Sequence, residues 1–168
     1  MNITLIGMTG VGKSFIGQAL AEALNFDFID VDERIEKRFN LGLQEVVDHF
    51  GEERFLKIEE QAILDLGSME RCVISPGGSV AYLPRAMEFL RKISRVIFLD
   101  APFESIRKRI HNESTRGIIG LKNRKLKDLY EERRPLYQGY AEVTVVLPAD
   151  LDKDTVVKEI VEAVKGQN

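Results

Sequence analysis

The stretch Ile3-Thr4-Leu5-Ile6-Gly7-Met8-Thr9-Gly10-Val11-Gly12-Lys13-Ser14 decides how this chain is read. Its first four residues form a short apolar run stopped by glycine, the pattern of a buried strand. Residues 13–24 follow as a helix, with Phe15, Ile16, Ala19, Leu20, Ala23 and Leu24 on one apolar face. Between strand and helix, Gly7 to Ser14 fits G-x-x-x-x-G-K-[ST] in full. The glycines allow a tight turn in which several backbone N–H groups converge on phosphate oxygens. Lys13 reaches the outer phosphates as a point charge, the Ser14 hydroxyl suits Mg²⁺, and the helix start adds its positive end. Gly10, Val11, Gly12, Lys13, Ser14 and Phe15 are therefore the expected nucleotide contacts, with ATP and Mg²⁺ as the implied cofactors.

Outward from that motif, apolar runs keep alternating with helical periodicity. Residues 26–31, 72–75, 96–99 and 143–147 read as further strands. Helical patterns cover residues 42–65 with a break near Gly51, then 84–91, 102–111, 126–140 and 155–164. Strands separated by helices predict an α/β three-layer sandwich around a five-stranded parallel sheet. No repeat or Pro/Gly/Ser linker divides the chain, so one domain over residues 1–168 is expected. Residues 112–123 carry Gly117 and Gly120 with little helical pattern and read as a mobile loop.

Composition narrows the function classes. With 44% hydrophobic and 30% charged residues, the 168-residue chain has the balance of a soluble globule. The single cysteine, Cys72, excludes an internal disulfide framework and a multi-cysteine zinc site. His49 and His111 stand too far apart for a local metal motif. A net charge of −3 disfavours nucleic acid as a partner. No apolar run approaches the ~18 residues a membrane helix needs, and Met1-Asn2-Ile3-Thr4 lacks a basic leader, so a cytoplasmic monomer is expected. The net charge conceals a segregation: residues 27–60 hold eleven acids and five bases, residues 107–134 ten bases and four acids. Two solvated faces of opposite sign, or a basic segment that meets an anion, both fit that pattern.

Open α/β sheets bind ligands at the carboxyl ends of their strands, which directs the search for an acceptor to the second and third strands. The second ends in Ile29-Asp30-Val31-Asp32, and strand periodicity puts the two carboxylates on one side. One would orient Mg²⁺ through its waters and the other accept a proton from a substrate hydroxyl. Asp32 is alternatively the N-cap of a helix starting at Glu33.

Taken in order, these motifs resemble the shikimate kinases, P-loop NTPases of nucleoside-monophosphate-kinase-like topology, over nearly the whole chain. The resemblance rests on residues 7–14, on Asp30 and Asp32, on Pro76-Gly77-Gly78, on Arg109 and Arg116 seven residues apart, and on Arg133-Arg134-Pro135-Leu136-Tyr137. It implies ATP-dependent phosphorylation of shikimate to shikimate 3-phosphate, in aromatic amino acid biosynthesis. It also implies roles: Asp32 as base, with Lys13 and Arg116 as its catalytic companions, and Asp30 beside Ser14 in the magnesium shell. Arg109 would lie along the adenine, and Arg116 would close with a lid over residues 112–124. Gly77, Gly78 and Ser79 would meet the substrate, and Arg133 would grip its carboxylate.

Three departures gather in the acceptor half. The family carries a second carboxylate-gripping arginine after the phenylalanine of G-E-x-x-F-R, where Gly51-Glu52-Glu53-Arg54-Phe55-Leu56 has leucine. The helical neighbours of Leu56 are Glu52, Glu53, Glu59 and Glu60, a face expected to repel an anion. Pro76 replaces a glycine and removes one N–H donor, and Ser79 adds a hydroxyl. Another small alcohol or polyol as acceptor, or an ATP-binding regulator without catalysis, remain the alternatives.

Overall fold

In β1 (Asn2–Ile6) every residue is buried, because this strand lies in the middle of a sheet covered on both faces. The structure, a computed structural model, describes residues 1–112, 117–122, 124–150 and 152–165. Its sheet runs β2 (Asp27–Asp30), β3 (Cys72–Ser75), β1, β4 (Ser94–Asp100) and β5 (Val143–Val146), with every pairing parallel. Parallel neighbours require crossovers, and helices supply them. The expected five-stranded parallel architecture is therefore the observed one.

After β1 comes α1 (Lys13–Leu24), which packs on β3 and on the last helix, α8 (Lys153–Lys165). Across β4 lie α5 (Pro84–Ile93) and α7 (Leu126–Tyr140), while α6 (Phe103–Asn112) packs on α7. Between β2 and β3 the chain inserts α2 (Val31–Phe39), α3 (Leu43–Phe50) and α4 (Glu52–Leu64), which pack on one another at the carboxyl end of the sheet. That insertion walls the acceptor side of the site.

Three expectations change. The second strand stops at Asp30, and Val31 and Asp32 belong to α2. The Asp30 carboxylate accepts the backbone N–H of Asp32 (3.0 Å) and of Glu33 (3.2 Å), so the helix cap is Asp30 rather than Asp32. On α1 the buried face is Ile16, Gly17, Leu20 and Ala21, whereas Phe15 is 54% exposed and Ala23 is also outside. In the segment expected to be a mobile loop, the described residues 117–122 are packed: Ile118 and Ile119 are buried. The Gly117 N–H donates to Gln44 Oε1 (2.7 Å) and the Gly120 N–H to Glu52 Oε1 (3.1 Å).

Candidate active site

The phosphate cradle is built from the loop between β1 and α1. Gly10 has φ of 81°, and a Cβ there would lie 2.8 Å from Ile110 Cγ1, so only glycine fits under α6. Helix α1 starts on Gly12 without a side-chain cap or an acidic residue in its first turn. Its leading N–H groups and positive end are thus left for an anion. Lys13 is buried, and its Nζ donates to the carbonyls of Gly7 (2.9 Å) and Met8 (3.1 Å). Burial pulls its pKa down to about 8, against the opposing pull of Asp32 and Asp30. Arg109 reaches the same loop from α6, with Nη1 2.9 Å from the Val11 carbonyl. Phe15, the expected nucleotide contact, is exposed with the Lys153 ammonium 5.2 Å from its ring centre.

Two carboxylates face this cradle in different ways. Asp30 accepts the Ser14 hydroxyl at 2.6 Å while it caps α2, so a hydroxyl and a carboxylate oxygen meet where a hard cation would sit. Asp32, half-buried in the first turn that Asp30 caps, has its pKa raised to about 8 by burial and by the charges of Glu59 and Asp30. It therefore holds a proton at neutral pH until a cation approaches. Among the described residues no group of three His, Cys, Asp or Glu side chains is placed to hold a metal. Mg²⁺ fits here in its usual way, through one or two oxygens plus phosphate and water.

The acceptor floor is the turn after β3, which continues as a 3₁₀ segment (Gly78–Tyr82). At Gly78 a Cβ would lie 2.6 Å from Thr9 Oγ1 and 3.0 Å from Thr9 N, so this turn touches the phosphate loop directly. At Gly77 a Cβ would lie 2.6 Å from Glu59 Oε1 and 3.0 Å from Asp32 Oδ1. Arg133 is fully buried; its Nη2 donates to the Ile119 carbonyl at 2.5 Å and its guanidinium lies 5.1 Å from the Tyr82 ring centre. Tyr137, two helical positions from Pro135, donates its hydroxyl to the Gly78 carbonyl. Asp32, Gly77, Gly78, Ser79, Ile119 and Arg133 line a small cavity of about 30 Å³. A larger groove between α3 and residues 117–122 contains no residue of the phosphate loop.

The site thus brings together Lys13, Ser14, Asp30, Asp32, Gly77, Gly78, Ser79, Arg109 and Arg133. Arg116 lies outside the described residues. Ser79 lines the cavity, but its hydroxyl is spent on Glu59 Oε2 behind it. The expected repelling face around Leu56 reduces to one residue. Glu53 is exposed and pairs with Lys57, Glu60 pairs with Arg85 (3.4 Å), and Glu52 holds Gly120; only Glu59 turns inward. Leu56 itself is half-buried against the core and is not part of the cavity wall. Tyr82 was not foreseen, and Thr9, Glu59 and Tyr137 were read as parts of their motifs without these contacts. A signal existed for Glu59: Phe55, Glu59 and Ile63 recur every four residues, which places a carboxylate on the buried stripe of α4.

Known proteins share this architecture. The family model described as shikimate kinase matches residues 9–165. A shikimate kinase of Aquifex aeolicus is 33% identical over 166 residues, covering 99% of this chain and 97% of its own. The solved structure of a shikimate kinase from Acinetobacter baumannii, in complex with shikimate, superposes with a TM-score of 0.92 at 28% identity, over 99% of this chain and 94% of the other. The Aquifex aeolicus shikimate kinase structure gives 0.82 at 34% identity, over 99% and 97%.

Proposed function

The chain belongs to the shikimate kinase family, and from that premise we propose how its residues phosphorylate shikimate with ATP to give shikimate 3-phosphate. The observation that carries the reading is the single cavity where the phosphate loop, Asp32 and the buried Arg133 meet. Arg133 takes the acceptor carboxylate, which orients the ring so that one hydroxyl faces Asp32. The hydroxyl oxygen attacks the γ-phosphorus while the bond to the β,γ-bridging oxygen breaks, ADP leaves, and the hydroxyl proton passes to Asp32. Lys13 leaves its two loop carbonyls for the phosphate oxygens, and the first turn of α1 holds the β-phosphate. Ser14 and Asp30 would hold Mg²⁺, which would supply positive charge to neutralise the phosphates beside Asp32.

Arg109 flanks the nucleotide, and Arg116 completes the charge neutralisation from a lid over residues 112–124. The described part of that lid is latched to α3 and α4 through Gln44 and Glu52. Closure excludes water from the transfer. We read the chain as one domain acting as a cytoplasmic monomer. Among the described residues, the large exposed apolar side chains (Met1, Phe15, Leu136, Val146) are scattered in sequence, and no helix is long and apolar enough to cross a membrane. A coupled ADP-release assay with shikimate, run on wild type and Asp32→Asn, tests this reading. Shikimate-dependent ADP release that the variant loses supports it, and equal ATP turnover in both would overturn it.

A further inference from the structure

Among the described residues, Arg133 is the one guanidinium that lines the acceptor cavity, so the direction it points decides where a carboxylate can sit. Its own helix braces it poorly. Pro135 lies inside α7 and has no N–H, so the bond to the Glu131 carbonyl, across the turn that carries Arg133, is missing. What fixes Arg133 therefore comes from outside that turn. Its Nη2 donates to the Ile119 carbonyl (2.5 Å), and a Cβ at Gly78 would lie 3.3 Å from its Nη1, so the Nη edge looks onto the acceptor floor. The opposite edge meets Tyr82. There Nε lies 3.4 Å from the hydroxyl oxygen, and the guanidinium carbon is 5.1 Å from the ring centre.

Tyr82 is itself held. It ends the 3₁₀ segment that starts on Gly78, and its hydroxyl donates to Glu132 Oε1. Glu132 Oε2 takes Arg124 Nη2 at 2.6 Å. The bonds from Arg124 and Tyr82 keep the Glu132 carboxyl below its usual range, so it is an acceptor only. A hydroxyl has one proton, and Tyr82 gives it to Glu132, which leaves its lone pairs to accept from Arg133 Nε. One hydroxyl thus bridges two consecutive residues of α7. Such residues point about 100° apart, so the bridge fixes the rotation of the helix about its axis.

We propose that Tyr82 is a positioning residue for the acceptor carboxylate, with Glu132 and Arg124 behind it: together they hold the Nη edge of Arg133 toward Gly78 before the acceptor arrives. Neither Tyr82 nor Glu132 lines the cavity, so each acts through Arg133. A guanidinium takes a carboxylate through two parallel bonds that tolerate little rotation, and an orientation fixed beforehand lowers the ordering that binding must supply. The inference rests on the reading above that Arg133 takes the shikimate carboxylate.

The test measures kcat and KM for shikimate and for ATP in wild type, Tyr82→Phe, Glu132→Ala and the double variant, with the primary amide of shikimate as a competing inhibitor. Tyr82→Phe keeps the ring and removes only the hydroxyl. It should raise KM for shikimate about threefold to tenfold, the usual contribution of one hydrogen bond, with KM for ATP unchanged. The Ki of the amide, which lacks the charge, should move by less than about twofold. Glu132→Ala should act in the same direction and by less, and the double variant should match Tyr82→Phe alone, because both lie on one path. Glu132 is exposed, so its removal keeps the fold and remains decisive if Tyr82→Phe lowers stability. A shikimate KM that neither variant moves, a parallel loss for acid and amide, or additive effects in the double variant overturns this inference and leaves the phosphoryl-transfer reading standing. Absence of shikimate turnover in wild type overturns both.

Discussion

The nucleotide half and the acceptor half of this site are made in opposite ways. The nucleotide half is a run of eight residues, Gly7 to Ser14, together with the helix start that follows it. Its working atoms are largely backbone N–H groups, and its one ammonium is held by carbonyls of its own loop. The acceptor half is assembled from side chains on α2, α4, the turn after β3, and α7, whose contacts join residues as far apart as Gly78 and Tyr137. A backbone cradle changes little when a side chain is replaced, whereas each wall of the acceptor pocket can be altered alone. That difference explains why Leu56, Pro76 and Ser79, the departures from the family pattern, all fall on the acceptor side.

The sharpest way to break the comparison is to strike the seam. Asp32→Asn should lower kcat by about 10²–10⁴-fold, the usual contribution of a positioned base, with ADP affinity unchanged by titration calorimetry. If ADP binding fell in parallel, the two halves would not be separable there. Next in size is Arg133→Lys, which loses the planar donor set and the bond to Ile119. A charge-assisted carboxylate contact contributes about 1.5–3 kcal/mol, so KM for shikimate should rise roughly ten- to a hundredfold while KM for ATP stays put. Gly78→Ala probes a place where the turn after β3 touches the phosphate loop. Its Cβ would press on Thr9, 2.6 Å from Oγ1 and 3.0 Å from N, and should cost about 1–3 kcal/mol of stability, read as a lowered Tm. Unlike the arginine variant, it should weaken both substrates.

The same contrast decides what was legible in the sequence. The phosphate loop, the strand order of events and the helices at 13–24 and 126–140 follow from local pattern, because glycine spacing and periodicity are properties of consecutive residues. Asp30 and Asp32 were legible as a pair but not in their division, since strand periodicity could not show that the Asp30 carboxylate would cap α2 and end the strand. Arg133 was found through its motif. Its burial under Ile119 and Tyr82 depends on tertiary packing that no local pattern carries. Phe15 misled for a related reason: an aromatic at helical spacing reads as core, yet the helix turns it outward beside Lys153. Glu59 was placed among four helical glutamates, and only packing distinguishes the one that turns inward.

The smallest expected effect is a shift in a pH profile, and it tests whether the two halves are electrostatically joined. Asp32 is pushed up to about 8, first by burial and then by Glu59, while burial lowers Lys13 to about 8. For the free enzyme, kcat/KM should therefore rise with pH as Asp32 gives up its proton and fall as Lys13 gives up its own. The limbs belong to the coupled pair rather than to either residue. Glu59→Gln removes a carboxyl whose negative charge, where it ionises against the cost of its burial, favours the protonated form of both groups. Its influence ranks second among the causes at Asp32 but last at Lys13. The acid limb should move to lower pH by more than the alkaline limb, so the bell widens on its acid side. Measured against shikimate over the same buffers, an acid limb that stays in place would mean that Glu59 does not act on Asp32 in the free enzyme, and that the acceptor half does not tune the base.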